Sequence, residues 1–340
     1  MRGRMAEAGA DSLWIAHPAN VRYLCGFTGS NGVGLLTADA FLLGTDGRYV
    51  TQCAEECTDV ELVIDRDTVR GLASRARGRT AFEADHVTVN QHMVIAESVE
   101  TVPVSGWVEN VRIVKDSFEE SFIREACQIS DDALESLLPR ICVGMTEREI
   151  AWALEREMLE RGAEGLAFDS IVAVGPNSAI PHHQPTERPL ASGDLLKIDF
   201  GARVAGYHAD QTRTFVLGVA ASWQLEIHAV VAQAQARGRE ALSAGVSLGS
   251  IDDASRTVIT AAGYAENYPH GLGHGVGLEI HEAPMLGARS TGILQAGVPV
   301  TIEPGIYLPG RGGVRIEDTM WVTESGSESL TRLPRELLAL

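Results

Sequence analysis

The chain has 340 residues, 45% apolar and 22% charged, with 46 acidic against 28 basic side chains and a formal net charge of −18. That length exceeds one typical compact core and predicts two domains. The acidic surplus repels phosphate backbones and no Lys/Arg cluster offsets it, which excludes nucleic acid as a partner, and apolar runs such as Val298 to Glu303 are far too short to span a bilayer, which excludes a membrane protein.

At the N-terminus, Arg2 and Arg4 are followed by Ala6-Glu7-Ala8-Gly9-Ala10-Asp11, without the apolar core of a secretory signal, so a cytoplasmic location is expected. From about residue 11 to 112, short apolar runs such as Ser12-Leu13-Trp14-Ile15-Ala16 and Glu61-Leu62-Val63-Ile64 alternate with helical stretches, the pattern of a small α/β unit. The five cysteines (Cys25, Cys53, Cys57, Cys127, Cys142) are an odd set. Cys53 and Cys57 lack a second ligand pair at zinc spacing and read as ordinary small side chains.

Near Lys115 the pattern changes. Phe118, Phe122, Ile123 and Cys127 recur at helical spacing and open a second domain, giving an expected division into residues 1–115 and 116–340. There a helix of about 118–143 precedes one that Thr146 and Glu149 start as a capping box and Gly162 ends; strands are expected near 168–174, 194–200 and 212–217. The order then repeats: helices of about 222–244 and 249–262, each stopped by a glycine, and strands near 298–303 and 314–322. Residues 193–201 (Gly-Asp-Leu-Leu-Lys-Ile-Asp-Phe-Gly) match residues 297–305 (Gly-Val-Pro-Val-Thr-Ile-Glu-Pro-Gly), a constant separation of 104, so Asp199 stands where Glu303 stands. Two such halves facing each other would bring both carboxylates to a shared axis.

A carboxylate ending an apolar strand is costly to bury without a cation. One alone could be an arginine partner or a helix cap. Here Asp210 follows the turn Ala205-Gly206-Tyr207 and opens a strand, while Arg315 and Glu317 are two apart on an expected strand and so share a face. Four carboxylates therefore converge, and without metal at least one would have to stay protonated. His274, within His270-Gly271-Leu272-Gly273-His274-Gly275, adds one nitrogen. The oxygen-rich set suits a pair of hard divalent ions such as Mn2+ or Co2+ rather than a thiolate zinc site.

These motifs (Ile198 to Gly201, Asp210 to Thr214, His270 to His274, Thr301 to Gly305 and Val314 to Asp318) resemble the creatinase/prolidase metallopeptidases of the pita-bread fold, and Asn20 to Leu24, Gly26 to Gly32 and Thr45 to Tyr49 are similar to the N-terminal domain of the proline-specific members. The resemblance implies an α/β (α+β) chain: a creatinase-like N-terminal domain followed by a pita-bread catalytic domain with internal pseudo-twofold duplication. It implies two divalent metal ions, Mn2+ with Co2+ or Zn2+ as alternatives, held by Asp199, Asp210, His274, Glu303 and Glu317. Asp199 and Asp210 would bind one ion, His274 and Glu303 would help bind the other, and Asp210 and Glu317 would bridge them, about 3.5 Å apart as in other two-metal sites. Glu303 would move protons as general acid/base. His182 and His281 would contact the substrate, with His183 an alternative to His182 because an alternating backbone could present either. His270 would relay protons or be structural, and Arg315 would hold the acidic ligands in place. His208 and His228 match no site position.

The activity implied is hydrolysis of Xaa-Pro bonds in dipeptides or short peptides. A compact chain leans toward an Xaa-Pro dipeptidase (prolidase), with Xaa-Pro aminopeptidase (aminopeptidase P) as the alternative and a non-catalytic peptide-binding module as an alternative of another class. A homodimer is also expected from the resemblance alone.

Overall fold

The computed structural model describes all 340 residues and folds as two units, Met1–Arg112 and Ile113–Leu340. The first has six strands, β1 (Ser12–Ile15), β2 (Gly32–Thr37), β3 (Phe41–Thr45), β4 (Val60–Ile64), β5 (Arg79–Glu83) and β6 (Glu100–Val104), in one mixed sheet ordered β4-β3-β2-β1-β5-β6. Six short helices accompany it: α1 (Arg2–Glu7), α2 (Pro18–Cys25), α3 (Val50–Glu56), α4 (Thr68–Ala73), α5 (Val89–Ala96) and α6 (Glu109–Arg112). Alternation along β1 sends Leu13 and Ile15 into one apolar cluster and Trp14 into another, so this strand is buried on both faces, as in the α/β unit expected.

The second unit carries helices α7 (Ser117–Leu137), α8 (Glu147–Glu160), α9 (Ser222–Glu240) and α10 (Leu248–Ala261). Asp116 starts α7 with a capping box closed by Glu119, and Thr146 starts α8 with one closed by Glu149, so at each start the N-cap amide and the amide three residues on are bonded reciprocally. The α7 helix is shorter than the periodicity suggests: it gives way to a 3-10 turn at Leu138–Arg140, where Pro139 has no amide to continue the ladder. Phe118 does not join its apolar stripe and is 75% exposed, whereas Ile123, Ala126 and Cys127 are buried.

The strands of this unit are β7 (Gly165–Leu166), β8 (Ile171–Val174), β9 (Leu195–Phe200), β10 (Ala202–Val204), β11 (Tyr207–His208), β12 (Gln211–Val216), β13 (Gly273–Gly275), β14 (Glu282–Leu286), β15 (Pro299–Ile302), β16 (Gly305–Leu308), β17 (Gly312–Arg315), β18 (Asp318–Thr323) and β19 (Gly326–Ser329). A three-stranded sheet ordered β12-β9-β8 belongs to one half, and a five-stranded sheet ordered β14-β13-β15-β18-β19 to the other. Helices α7 and α8 pack through Leu134, Leu137, Ile150 and Leu154 on the β8 and β9 side chains Val172, Leu196 and Ile198. In the other half, Leu248 and Ile251 of α10 join Val300, Ile302 and Met320. The strand expected over 314–322 is broken: β17 ends at Arg315 and β18 begins at Asp318, leaving Glu317 on the link between them. No helix is long and apolar enough to cross a membrane.

Candidate metal centre

Two close backbone approaches position the first site strands. A Cβ on Gly201 would lie 1.8 Å from the Ala209 carbonyl oxygen, and one on Gly273 would lie 2.0 Å from that of Thr301, so any larger residue would push apart the segments that carry Asp210 and His274. Asp199, near the end of β9, is the register partner of Thr212 on β12, and Asp210 immediately precedes β12. The two halves join here: the Glu317 amide donates to the Thr212 carbonyl at 3.0 Å, and Thr214 Oγ1 donates to the Arg315 carbonyl at 2.9 Å. On the opposite side the Glu303 amide donates to the Leu272 carbonyl at 2.8 Å and the His274 amide to Thr301 Oγ1 at 3.0 Å, which brings Glu303 beside His274.

Asp210, His274 and Glu317 are buried and offer donor atoms that all lie within 4.8 Å of one another. His274 Nε2 is 3.5 Å from Asp210 Oδ2 and 3.5 Å from Glu303 Oε1. Its Nδ1 sits 2.9 Å from the Gly275 carbonyl oxygen, which assigns the proton to Nδ1 and turns the Nε2 lone pair to the carboxylates, the arrangement a metal ligand needs. Asp199 Oδ2 accepts from Arg315 Nη2 at 2.5 Å, while Asp199 Oδ1 is buried without a partner. Arg315 Nε donates to Thr212 Oγ1 at 3.0 Å, and that hydroxyl donates to Glu317 Oε2 at 2.6 Å, so one guanidinium holds Asp199 directly and Glu317 through Thr212.

Burial pushes the Asp210 and Glu317 carboxyls well above the usual carboxylate range, and the negative charges around them add to the effect; burial also raises Glu303, to about 8. One arginine cannot neutralise four carboxylates. The repulsion, the orphaned Asp199 oxygen and the free imidazole lone pair together fit a bound cation, and an oxygen-rich set with one nitrogen favours hard divalent ions.

Asp199, Asp210, His274, Glu303 and Glu317 floor a cleft of about 250 Å3 that Phe168, Ile171, Ile280, His182 and His281 also line. A second limb of about 280 Å3 shares His182, His274, Glu303 and Arg315 and adds Pro181, His270 and Leu286. Of the adjacent histidines, His182 is exposed to the cleft, whereas His183 is buried, its Nε2 2.8 Å from Glu147 Oε2. The His281 ring meets the edge of His274 at 4.4 Å, and burial lowers its pKa, leaving it neutral near pH 7. His270 forms a chain: Arg315 Nη1 donates to the Tyr307 hydroxyl at 2.8 Å, which lies 2.9 Å from His270 Nε2, while His270 Nδ1 is 4.0 Å from Glu303 Oε2. Burial, with the positive charge of Arg315 nearby, pushes the His270 pKa down to about 3. His208 is buried with Nδ1 2.8 Å from the Gly277 carbonyl, and His228 is buried on α9; neither lines the cleft.

The structure adds residues that sequence reasoning passed over. Thr212 stands inside the quoted Asp210 to Thr214 motif, so its signal was present. Tyr307 and the Asp252–Arg256 pair had none: Arg256 Nη2 donates to the His270 carbonyl at 2.7 Å while Arg256 Nε holds Asp252 Oδ2 at 2.6 Å.

Residues 121–324 match Metallopeptidase family M24, and residues 1–114 match the Creatinase/Prolidase N-terminal domain. The solved structure of an Xaa-Pro dipeptidase from Bacillus anthracis is similar at a TM-score of 0.96 and 39% identity, covering 100% of this chain and 98% of that one. An X-Pro aminopeptidase from Thermotoga maritima matches at 0.91 and 36%, covering 99% and 100%. A relative named Xaa-Pro dipeptidase from Pyrococcus furiosus is 36% identical over 349 residues, covering 98% of this chain and 97% of the relative. The chain therefore belongs to metallopeptidase family M24, a peptidase whose creatinase-type N-terminal α/β domain precedes a pita-bread domain.

Proposed function

We propose that this chain is a dinuclear-metal exopeptidase that hydrolyses Xaa-Pro bonds, with Xaa-Pro dipeptidase slightly favoured. The observation that carries the proposal is the convergence at the floor of one cleft of the buried Asp199, Asp210, His274 and Glu317 and the partly buried Glu303, four carboxylates and one imidazole against a single arginine. Relatives named Xaa-Pro dipeptidase, similar along the whole chain, support the substrate class.

The five residues would hold a divalent pair, Mn2+ by preference with Co2+ or Zn2+ as alternatives. When bound, such a pair supplies an activated water at neutral pH and polarises the scissile carbonyl. Glu303 Oε1 lies 3.5 Å from His274 Nε2 and lines the cleft, where its carboxylate would take a proton from the attacking water and pass it to the departing proline nitrogen. His182 and His281 donate hydrogen bonds to the oxygen that gains charge in the transition state. Phe168, Ile171 and Ile280 give the substrate an apolar wall that excludes water. Arg315 and Thr212 keep Asp199 and Glu317 oriented throughout.

The test is direct: purified protein should contain two divalent ions per chain, and chelator should remove them together with hydrolysis of Ala-Pro. Inert protein that takes up no metal would refute the proposal and favour a peptide-binding module. The aminopeptidase P reading keeps a place because the X-Pro aminopeptidase structure matches the whole chain as well. A higher rate on Ala-Pro-Ala than on Ala-Pro would select it. A cytoplasmic homodimer completes the proposal, and sedimentation of the purified protein checks the dimer.

A further inference from the structure

His182 projects into the cleft from an irregular segment between β8 and β9, where no ladder of hydrogen bonds fixes a side chain. The backbone on either side of it is instead held by buried charged groups. Before it, the fully buried Lys197 on β9 donates from Nζ to the Ile180 carbonyl at 2.7 Å and the Pro181 carbonyl at 3.3 Å, and Arg315 Nη1 reaches the Pro181 carbonyl at 3.3 Å. Both ends of the segment then converge on Glu147, the first residue of α8, whose side chain is also fully buried. Glu147 Oε1 accepts from the Val174 amide at 2.8 Å and Asn177 Nδ2 at 2.9 Å. Its Oε2 accepts from His183 Nε2 at 2.8 Å, the Thr186 amide at 2.9 Å and Thr186 Oγ1 at 2.6 Å.

Five donors on one carboxylate are more than a helix start needs, since Thr146 and Glu149 already cap α8. Burial alone would raise the Glu147 carboxyl, yet the bonds from Thr186, His183 and Asn177 hold it below the usual range, so it stays charged and each bond is charge-assisted. The donors come from both ends of the segment that carries His182, and the histidine next to it is one of them. A side chain that must meet developing charge gains most from a support that does not have to be assembled during reaction.

We propose that Glu147 and His183 are positioning residues for the reaction, acting through His182: the buried Glu147–His183 contact fixes the backbone between Pro181 and Thr186 and so aims the His182 ring at the substrate. This rests on the reading of His182 given above. The two histidines then divide the work, one turned inward to a carboxylate and one outward to the cleft.

The test is a double-variant cycle on Mn2+-loaded enzyme with Ala-Pro as substrate, with metal content and thermal midpoint measured for every variant. His183→Leu should lower kcat on the order of 10- to 100-fold with KM and metal content little changed, the scale that a misplaced catalytic group costs. His183→Gln, whose amide can still donate to Glu147, should recover most of the rate. In the His182→Ala background, His183→Leu should cost nothing more. A full, multiplicative loss in the double variant, or an unchanged kcat for His183→Leu, would overturn the proposal. Should His183→Leu not fold, Thr186→Val, which removes a single donor to Glu147, enters the same cycle with the same two outcomes at smaller amplitude. A wild-type rate for His182→Ala would instead remove the role assigned to His182 itself, and a wild-type enzyme inert on Ala-Pro would remove the proposed activity.

Discussion

Thr212→Val isolates the link between the only guanidinium of the site and the ligand set. The hydroxyl is fully buried, donates to Glu317 Oε2 at 2.6 Å and accepts from Arg315 Nε at 3.0 Å. Valine matches the shape and removes both bonds, leaving a buried carboxylate and a buried guanidinium N–H each short of one partner. The bond from the guanidinium is charge-assisted and contributes about 1.5–3 kcal/mol, and the one to Glu317, whose carboxyl is raised in metal-free protein, about 1 kcal/mol, so a loss of about 3 kcal/mol is expected. In a unit of this size that lowers the thermal midpoint of metal-free protein by about 6–12 °C. Loss of a supporting hydrogen bond on a ligand also weakens metal binding by about 10- to 100-fold. Calorimetric melting of chelator-treated protein gives the first quantity and titration calorimetry with Mn2+ the second. A variant that melts within about 2 °C of wild type and binds Mn2+ equally well would refute the chain of support from Arg315 through Thr212 to Glu317.

Glu303→Gln should leave the fold intact and lower kcat on Ala-Pro by about 10²–10⁴ at saturating Mn2+, the range of general acid–base catalysis; appreciable residual turnover would contradict its role. Adding Mn2+ to chelator-treated protein should raise its melting temperature, since ions that bind only the folded state stabilise it by mass action, and a midpoint indifferent to Mn2+ would speak against the site. Burial pushes His228 from 6.5 down to about 4. The folded state therefore binds fewer protons than the unfolded state between those values, so the stability this neutral histidine permits is present above pH 6.5 and is lost as pH falls toward 4. The shift corresponds to about 3 kcal/mol at most, and His228→Gln should remove that part of the slope in urea titrations at pH 7, 5.5 and 4. Arg213→Met removes the guanidinium that donates to the buried Asp318 at 2.7 Å and to the Leu333 carbonyl at 2.8 Å, while Arg335, Gln235 and Thr331 still hold Asp318, so it should cost about 3 kcal/mol by urea unfolding at pH 7.

The parts of this molecule legible in the sequence are those whose physics is local. Capping boxes at Thr146 and the periodic apolar stripe after it located α8, and the apolar runs ending in Asp199 and Glu303 located the strands β9 and β15, because each signal lies within a few residues of the element it specifies. The break at Glu317 was not legible. Val314 to Val322 reads as one strand, and only the assembled halves show why it parts: the Glu317 amide turns away to the Thr212 carbonyl, a partner 105 positions earlier in the chain, and the ladder resumes at Asp318 against Ile302.

Distance along the chain also explains which site residues went unseen. Tyr307 bonds Arg315 and His270, Glu147 bonds His183 and Thr186, and Arg256 bonds the His270 carbonyl; each is a polar residue in an unremarkable stretch whose partners only the fold selects. Their presence nonetheless follows from the residues that were legible. Four carboxylates can share one small volume only if the chain that presents them resists their repulsion. The supports are accordingly buried, charged or multiply bonded, and they act on backbone carbonyls as often as on side chains, as Lys197 does at Ile180 and Arg256 at His270. A chain that concentrates so much unbalanced charge for a cation must spend further buried polar groups to hold that charge in place, and those groups are where substitutions remote from the reacting atoms should change turnover more than substrate affinity.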